Sequence, residues 1–350
     1  MTTPLPAPVP TPVAPPMVAR SAEAAPAIAD VSYRGYDGEL RSRSARWWTI
    51  TRATLGSGVK KLGYWIPGGL TLLIYLITGL VFYFSRNVRA QFGGVEPTNQ
   101  YAVVLNQGLT STALLLFIAA LTVGAGCIAA DNKANALLVY LSKPITRLDY
   151  LVGKWVGVFL LLAALTFVPA LLMYLFFLVA YTGDGFLKDN PTLAWRFAAA
   201  TLFPAVLHTS LIVGFSSCMK SPRLAGSLYA AFYFVTLIVA LSAGNLMQGR
   251  DKAGTNGANI ALVSNLSIPG LTSGLAEHLY DLTPKELAQG ASARRRFRRR
   301  RPGADDEMPA PTSVPERPPL APLLLIGGVL VALPIAVAAS RVRAVEVVSG

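Results

Sequence analysis

Side chains that could carry out catalysis are scarce in this chain of 350 residues. Its two histidines, His208 and His278, do not stand in the His-Glu-x-x-His pattern that holds zinc in a metalloprotease. Its two cysteines, Cys127 and Cys218, lie near the ends of apolar runs at no metal-binding spacing, so we interpret them as small buried hydrophobic residues. We also find no paired-carboxylate site. The sequence therefore predicts neither a catalytic site nor a metal site, and we do not expect the chain to be an enzyme.

A short polar stretch, His208-Thr209-Ser210, interrupts one of the apolar runs. An ion-driven transporter usually needs an ionisable group near the middle of the bilayer, where burying a charge is costly and marks a functional site. The apolar runs contain no Asp, Glu, Lys or Arg, and a lone histidine is more often a helix-packing group than a proton relay. The three residues are candidates for a substrate path. Two functions therefore stay open as alternatives to any other interpretation of the chain: an ion-coupled secondary transporter and a non-transporting membrane scaffold.

A polar joint, defined as residues 131–149, separates two of the most apolar runs. Asp131 is placed to cap a helix through NKANALLVYL, and Pro144 ends that helix because the residue before a proline avoids the helical conformation. Thr146, followed three positions later by Asp149, predicts a capping box that opens the next membrane helix. A short helix with fixed ends can transmit a push, although the same pattern also fits an ordinary loop between two helices.

The composition places these residues in an integral membrane protein. The chain is 53% hydrophobic and only 14% charged, whereas about a quarter of the residues of a soluble domain are charged. A helix needs about 20 apolar residues to cross the bilayer core. We therefore predict an all-α integral membrane protein with six transmembrane helices. The six runs are 65–84, 110–130, 156–180, 197–217, 225–244 and 320–340.

The distribution of Lys and Arg predicts that both termini and the joint are cytoplasmic. An even number of spans puts the termini on one side, and cytoplasmic loops carry an excess of Lys and Arg. The cations on that side are Arg41, Arg43, Arg46, Arg52, Lys60, Lys61, Lys133, Lys143, Arg147, Lys154, Lys220, Arg223, Arg341 and Arg343. The short loops of the opposite side have Arg86, Arg89, Lys188 and Arg196.

The segments around the spans divide the chain into four parts. Residues 1–40, rich in Pro and Ala, are predicted to form a disordered cytoplasmic tail. Residues 41–244 contain a pre-membrane helix and spans one to five. Residues 245–319 form a long, partly disordered loop rich in Arg and Pro, and residues 320–350 contain span six and a short cytoplasmic tail.

The long loop contains an arginine run from Arg294 to Arg301. We place it outside the cytoplasm, because loops beyond about 60 residues translocate largely regardless of charge. An extra half-span in NIALVSNLSIPGLTSGLA would move the arginines inside, but that segment is too polar and interrupted to count. A solvated linker is the first interpretation of the run, and binding to anionic lipid or cargo is the second.

The stretch before span one, SARWWTITRATLGSGVKKL, predicts a helix lying in the headgroup plane of the membrane. It places Trp48, Leu55, Val59 and Leu62 at near-helical spacing, and basic residues accompany them. Tryptophan combined with basic residues suits the interface between lipid and water. The alternative is a simple positively charged flank of the first span.

The joint resembles the junction between spans two and three in permease subunits of type-two ATP-binding-cassette (ABC) exporters. The resemblance rests on GAGCIAADNKANALLVYLSKPITRLDYLVGK, with an acidic residue after a Gly-rich span end, a leucine-rich helix, a Ser-x-Pro break and a Gly-Lys pair. The matching positions are Asp131, Leu138, Leu141, Ser142, Pro144, Arg147, Gly153 and Lys154. The upstream YRGYDGELRSRSARWWTITRATL is similar to the pre-membrane segment of some members. Asn132 and Asn135 depart from the pattern, since basic or small residues are commoner there.

The resemblance implies that the joint is a cytoplasmic coupling helix that docks in a groove of a separate ABC ATPase. The chain has no Gly-x4-Gly-Lys-Ser/Thr loop, so ATP and Mg would be bound by the partner and this chain would hold no cofactor. The candidate ATPase-coupling residues are Asp131, Asn132, Leu137, Leu138, Leu141, Ser142, Pro144, Arg147 and Asp149.

The resemblance also sets expectations for assembly and location. Two six-span halves imply a homodimer or a pair with a sister permease, surrounded by membrane lipids and without nucleic acid. The expected place is a bacterial cytoplasmic (inner) membrane. The exported substrate stays open between lipid, glycan, drug, peptide and metal-loading factor.

Overall fold

Helices account for all the regular structure in the described part of the chain, and no strand occurs there. A computed structural model describes residues 46–92, 99–136, 145–250, 257–283, 286 and 317–342. The helices are α1 Arg46–Val59, α2 Leu62–Gln91, α3 Gln100–Ser111, α4 Ala113–Gly124, α5 Ala129–Lys133, α6 Arg147–Tyr181, α7 Phe186–Asp189, α8 Leu193–Cys218, α9 Pro222–Arg250, α10 Gly257–Ser264, α11 Ile268–Leu279 and α12 Leu320–Arg341.

Among the described residues, six segments are long and apolar enough to cross a membrane, which confirms the predicted all-α, six-span fold. They are Leu62–Arg89, Ala113–Lys133, Arg147–Tyr181, Leu193–Cys218, Pro222–Met247 and Leu320–Arg341. The helices extend beyond the apolar runs. The third span, α6, has 35 residues and is therefore about 50 Å long, so it projects beyond a hydrocarbon core of about 30 Å.

The fourth span, α8, lies at the centre of the bundle. Of an apolar stretch of 18 residues in this helix, 72% is buried. It packs against α4, α6, α9, α11 and α12. Small residues make this possible, as at Gly214, where Pro334 of α12 leaves no room for a Cβ. The buried share of such an apolar stretch is only 28% for α2 and α9 and 11% for α12. The described part of the chain thus leaves many apolar side chains on those outer helices uncovered.

The predicted pre-membrane helix is present as α1, but its apolar side chains divide between two faces. Ile50 and Thr54 are buried, and α1 packs mainly on α6. Trp48, Val59 and Leu62 are exposed. That exposure suits contact with headgroups, and the orientation of α1 relative to a membrane stays a prediction.

The second span is broken between α4 and α5, at residues 125–128. A broken helix leaves backbone N–H groups that need other partners inside a membrane. The Ser216 Oγ of α8 supplies one, because it accepts from the N–H groups of Ile128 (3.0 Å) and Ala129 (2.9 Å). The same hydroxyl donates to the Ala125 carbonyl at 2.9 Å. One side chain therefore fastens the break to the central helix.

The polar segment after span five forms two short helices instead of a half-span that changes sides. The helices α10 and α11 have 8 and 12 residues, which makes them about 12 and 18 Å long and too short to cross. The end of α11 is tied to the start of α12 by a His278 Nε2 contact with the Pro318 carbonyl (2.6 Å) and an Asp281–Arg317 ion pair (3.1 Å). The arginine run lies outside the described residues.

Candidate functional site

Asp131 joins the second span to the third through its carboxylate. Its Oδ2 accepts a hydrogen bond from the Tyr150 hydroxyl (2.6 Å) and forms an ion pair with Lys154 Nζ (2.8 Å), both on α6. The Lys154 side chain is only 12% exposed and that of Asp131 18%. A pair with so little exposure is weakly screened by water and constrains both partners.

The predicted role of Asp131 as a helix N-cap is wrong. The helix α5 begins at Ala129 after Ile128, so Asp131 lies within the helix, and α6 holds its carboxylate. The helix also does not continue from Asp131 through the joint, because residues 134–135 form a turn and Asn135 has φ 51°. Asparagine tolerates this left-handed conformation better than most residues, which explains the break.

Asn132, next to Asp131 in α5, links the second span to the end of the fourth span. Its Nδ2 donates to the carbonyls of Ser217 (3.3 Å) and Met219 (3.2 Å), where α8 ends. The last carbonyls of a helix have no partner within the helix and need external donors. Asp131 and Asn132 therefore link α5 to the start of α6 and to the end of α8, and we call these two residues and their partners the junction clamp.

Lys61, which directly precedes the first span, forms a further contact at this end of the bundle. Lys61 Nζ donates to the Thr122 carbonyl at 3.0 Å, near the end of α4. A cation at a helix C-terminus also interacts favourably with the helix dipole. Burial lowers the pKa of the Lys61 amine below its ordinary value. The basic stretch before the first span thus includes one cation that hydrogen-bonds to the end of a neighbouring helix.

The predicted capping box at the start of α6 is present. The Asp149 backbone N–H donates to Thr146 Oγ1 (3.1 Å), and the Thr146 N–H donates to Asp149 Oδ2 (3.1 Å). Arg147, between them, is exposed. The helix that leaves the joint therefore has a fixed first turn. The other candidate coupling residues, Leu137, Leu138, Leu141, Ser142 and Pro144, lie outside the described residues.

The helix α1 is held against α6 at the Gly-Lys pair. Thr51 Oγ1 donates to the Gly153 carbonyl at 3.1 Å. A Cβ on Gly153 would lie 2.7 Å from both Ile50 Cβ and the Trp47 carbonyl oxygen, so only glycine allows this close approach. Because α6 also holds the junction clamp through Tyr150 and Lys154, α1 belongs to the same connected unit.

The candidate substrate-path residues are all buried, but they point to different neighbours. His208 Nδ1 lies within hydrogen-bond distance of the Tyr229 hydroxyl on α9. Ser210 accepts from Trp155 Nε1 of α6 at 3.2 Å. Thr209 Oγ1 has no hydrogen-bond partner among the described residues. The three side chains do not meet around one cavity, and their substrate role stays a prediction.

A cavity with both apolar and polar lining, which the sequence did not predict, lies between α3, α9 and the α10–α11 pair. It has a volume of about 580 Å³, and Asn106, Gln107, Asn265 and Glu277 contribute polar side chains to its wall. The available signal was the polarity of NIALVSNLSIPGLTSGLA. The polarity of this segment interrupts an apolar pattern, and some of its polar residues, among them Asn265 and Ser273, line the cavity.

Comparison with known proteins gives the family. A family model described as ABC-2 family transporter protein matches residues 18–293, a range that contains α1 to α11. A search of the curated proteins finds no significant match. The family match extends over most of the chain and agrees with the six apolar helices. The chain therefore belongs to the ABC-2 transporter family, as a multi-pass membrane permease subunit of an ABC transporter.

Proposed function

We propose that this permease couples ATP hydrolysis by a separate cytoplasmic ABC ATPase to the export of a substrate. The joint, residues 131–149, receives the movement of the ATPase. ATP and Mg are bound by that partner. The observation that carries the proposal is the junction clamp, because it connects the beginning of the joint to three spans at once.

The clamp gives the movement a defined route. A displacement of the joint acts on Asp131, and the contacts with Tyr150 and Lys154 pass it to α6. Asn132 passes it to the end of α8, the central helix. The capping box keeps the first turn of α6 intact while it moves. Packed helices linked in this way move as bodies, which is how small local shifts become domain-scale changes.

The uncovered outer helices support an assembly of two permeases. The apolar faces of α2, α9 and α12 have little cover from the other described residues. Two copies, or this chain with a sister permease, form a substrate path between two six-span halves. The inner membrane of a bacterium is the proposed location, with both termini and the joint in the cytoplasm. Export direction follows from the resemblance of the joint to exporters.

Co-purification tests the coupling assignment. We expect the parent chain, purified in detergent from its native host, to retain a protein that carries a Gly-x4-Gly-Lys-Ser/Thr loop and hydrolyses ATP. The double variant Leu138→Asp/Leu141→Asp places charges in the apolar contact and should reduce the retained ATPase at least tenfold. The measurement is the ratio of the two proteins after size-exclusion chromatography.

Leu187→Asp is the matched control, because Leu187 is an exposed leucine in α7, far along the chain from the joint. We expect it to retain the ATPase at the parent ratio. The elution volume and melting temperature of the double variant should equal those of the parent, which separates lost contact from misfolding. A folded double variant that retains the ATPase normally would contradict the assignment.

A further inference from the structure

The cavity between α3, α9 and the α10–α11 pair has the size of a small-molecule site. Its volume of about 580 Å³ falls within the range of about 300–1,000 Å³ typical of ligand pockets. Leu237 and Leu241 of α9 line it with apolar side chains, and Asn106, Gln107, Asn265 and Glu277 form what we call its polar wall. Such a combination suits an amphipathic molecule.

The polar wall has an acceptor that no described group satisfies. Asn106 is only 9% exposed, and its Oδ1 has no hydrogen-bond partner in the described part of the chain. A buried acceptor without a donor costs about 1–3 kcal/mol. Because Asn106 lines the cavity, a donor on a bound molecule would remove that cost.

A carboxylate stands in the same wall. Glu277 of α11 lines the cavity, and its carboxylate forms no hydrogen bond or ion pair with the described residues. Glu286 is the other carboxylate at the cavity. Its Oε2 already accepts two hydrogen bonds, from the N–H (2.6 Å) and the hydroxyl (2.8 Å) of Thr283. The unsatisfied groups at this wall are therefore acceptors, and one of them is an acid.

We propose that this cavity binds an amphipathic primary amine, with the ammonium group between Asn106 Oδ1 and the Glu277 carboxylate and the apolar part against Leu237 and Leu241. An ammonium group has three donors and no acceptor, so it matches this set of partners. The inference depends on the described fold and not on coupling to an ATPase, and its test uses the permease alone.

The charge state of Glu277 sets the pH range of binding. Burial raises the pKa of Glu277 to about 7, and Arg317 opposes part of that effect. The other ionisable group at the cavity is Glu286, and the lining side chains from α3 and α9 are uncharged. Glu277 is neutral below its pKa and negative above it. Amine binding should therefore be strong at pH 8 and about tenfold weaker at pH 6.

Binding of dansylcadaverine to the full-length chain in phosphatidylglycerol nanodiscs tests the inference. We expect binding by fluorescence polarisation at pH 8, and at least tenfold weaker binding of the N-acetylated, uncharged analogue. Glu277→Gln should weaken amine binding at least tenfold and remove its pH dependence. Asn106→Leu should weaken it about fivefold, whereas Asn106→Asp, which keeps the size and an acceptor, should retain at least the parent affinity.

Asp189→Asn is the matched control, since Asp189 is an exposed acid of α7 that does not line the cavity. It should bind the amine as the parent does. Replacing phosphatidylglycerol by phosphatidylethanolamine distinguishes two sources of the amine: competition assigns a lipid headgroup, and equal binding assigns a free amine. Equal binding of the acetylated analogue, or parent affinity in a folded Glu277→Gln variant, would overturn the inference.

Discussion

Replacing Asp131 by leucine is expected to lower the free energy of unfolding of the permease by about 3 kcal/mol. The change removes the partner of Lys154, whose side chain is only 12% exposed, and leaves an uncompensated charge in the protein. It also removes the acceptor of the Tyr150 hydroxyl. The measurement is thermal or denaturant unfolding of the purified chain in nanodiscs, together with ATP-driven transport once a substrate is known.

The double variant Asp131→Leu/Lys154→Met is the control for this prediction. Exchanging a buried ion pair for apolar residues of similar size is often neutral, so the double variant should recover most of the lost stability. Asp149→Ala, in the exposed capping box, should cost only about 1 kcal/mol. If the single and double variants are equally unstable, the ion pair is not what holds α5 to α6.

Replacing Gly153 by leucine is expected to separate α1 from α6 and to cost about 3 kcal/mol. The new Cβ alone would lie 2.7 Å from Ile50 Cβ and from the Trp47 carbonyl oxygen. Neither neighbour is the end of a flexible side chain, so the helices must move apart. The hydrogen bond from Thr51 to the Gly153 carbonyl would then lengthen or break. The melting temperature and the protease sensitivity of α1 report both effects.

Gly69→Leu is the matched control, because it makes the same substitution at a glycine where a side chain has room. Gly69 is exposed in α2, and a Cβ there meets nothing within 4 Å. Leucine has the higher helix propensity by up to about 1 kcal/mol, so this variant should be as stable as the parent or slightly more. Equal behaviour of the two leucine variants would show that the α1–α6 contact does not need glycine.

The spans and the cap of α6 were predictable because they depend on local sequence, whereas the predicted cap at Asp131 was wrong. Each of the six runs is long enough and apolar enough to form a helix in any membrane context. The Thr146–Asp149 capping box is a four-residue pattern and appears as predicted. The interpretation of Cys127 as a small buried residue also holds, while Cys218 is exposed.

The partners across the fold were not predictable from one sequence. The role of Asp131 depends on Lys154, which the sequence identified only as one of the cytoplasmic cations and as part of the Gly-Lys pair. The function of Ser216 depends on a break in span two that no local signal separates from a continuous helix. The cavity around Asn106 and Glu277 needs α3 and α11 to pack together, although they are more than 150 residues apart in the chain.

The most direct test of the central claim is photo-crosslinking from the joint in native membranes. A photoreactive phenylalanine at Leu138, in the otherwise unchanged full-length chain, should crosslink to a protein that carries an ATPase phosphate-binding loop. The yield should change when ATP is added, and the same group at Leu187 should give no such product. Crosslinks of equal yield from both positions, or labelling of position 138 by an impermeant reagent outside intact cells, would contradict the account.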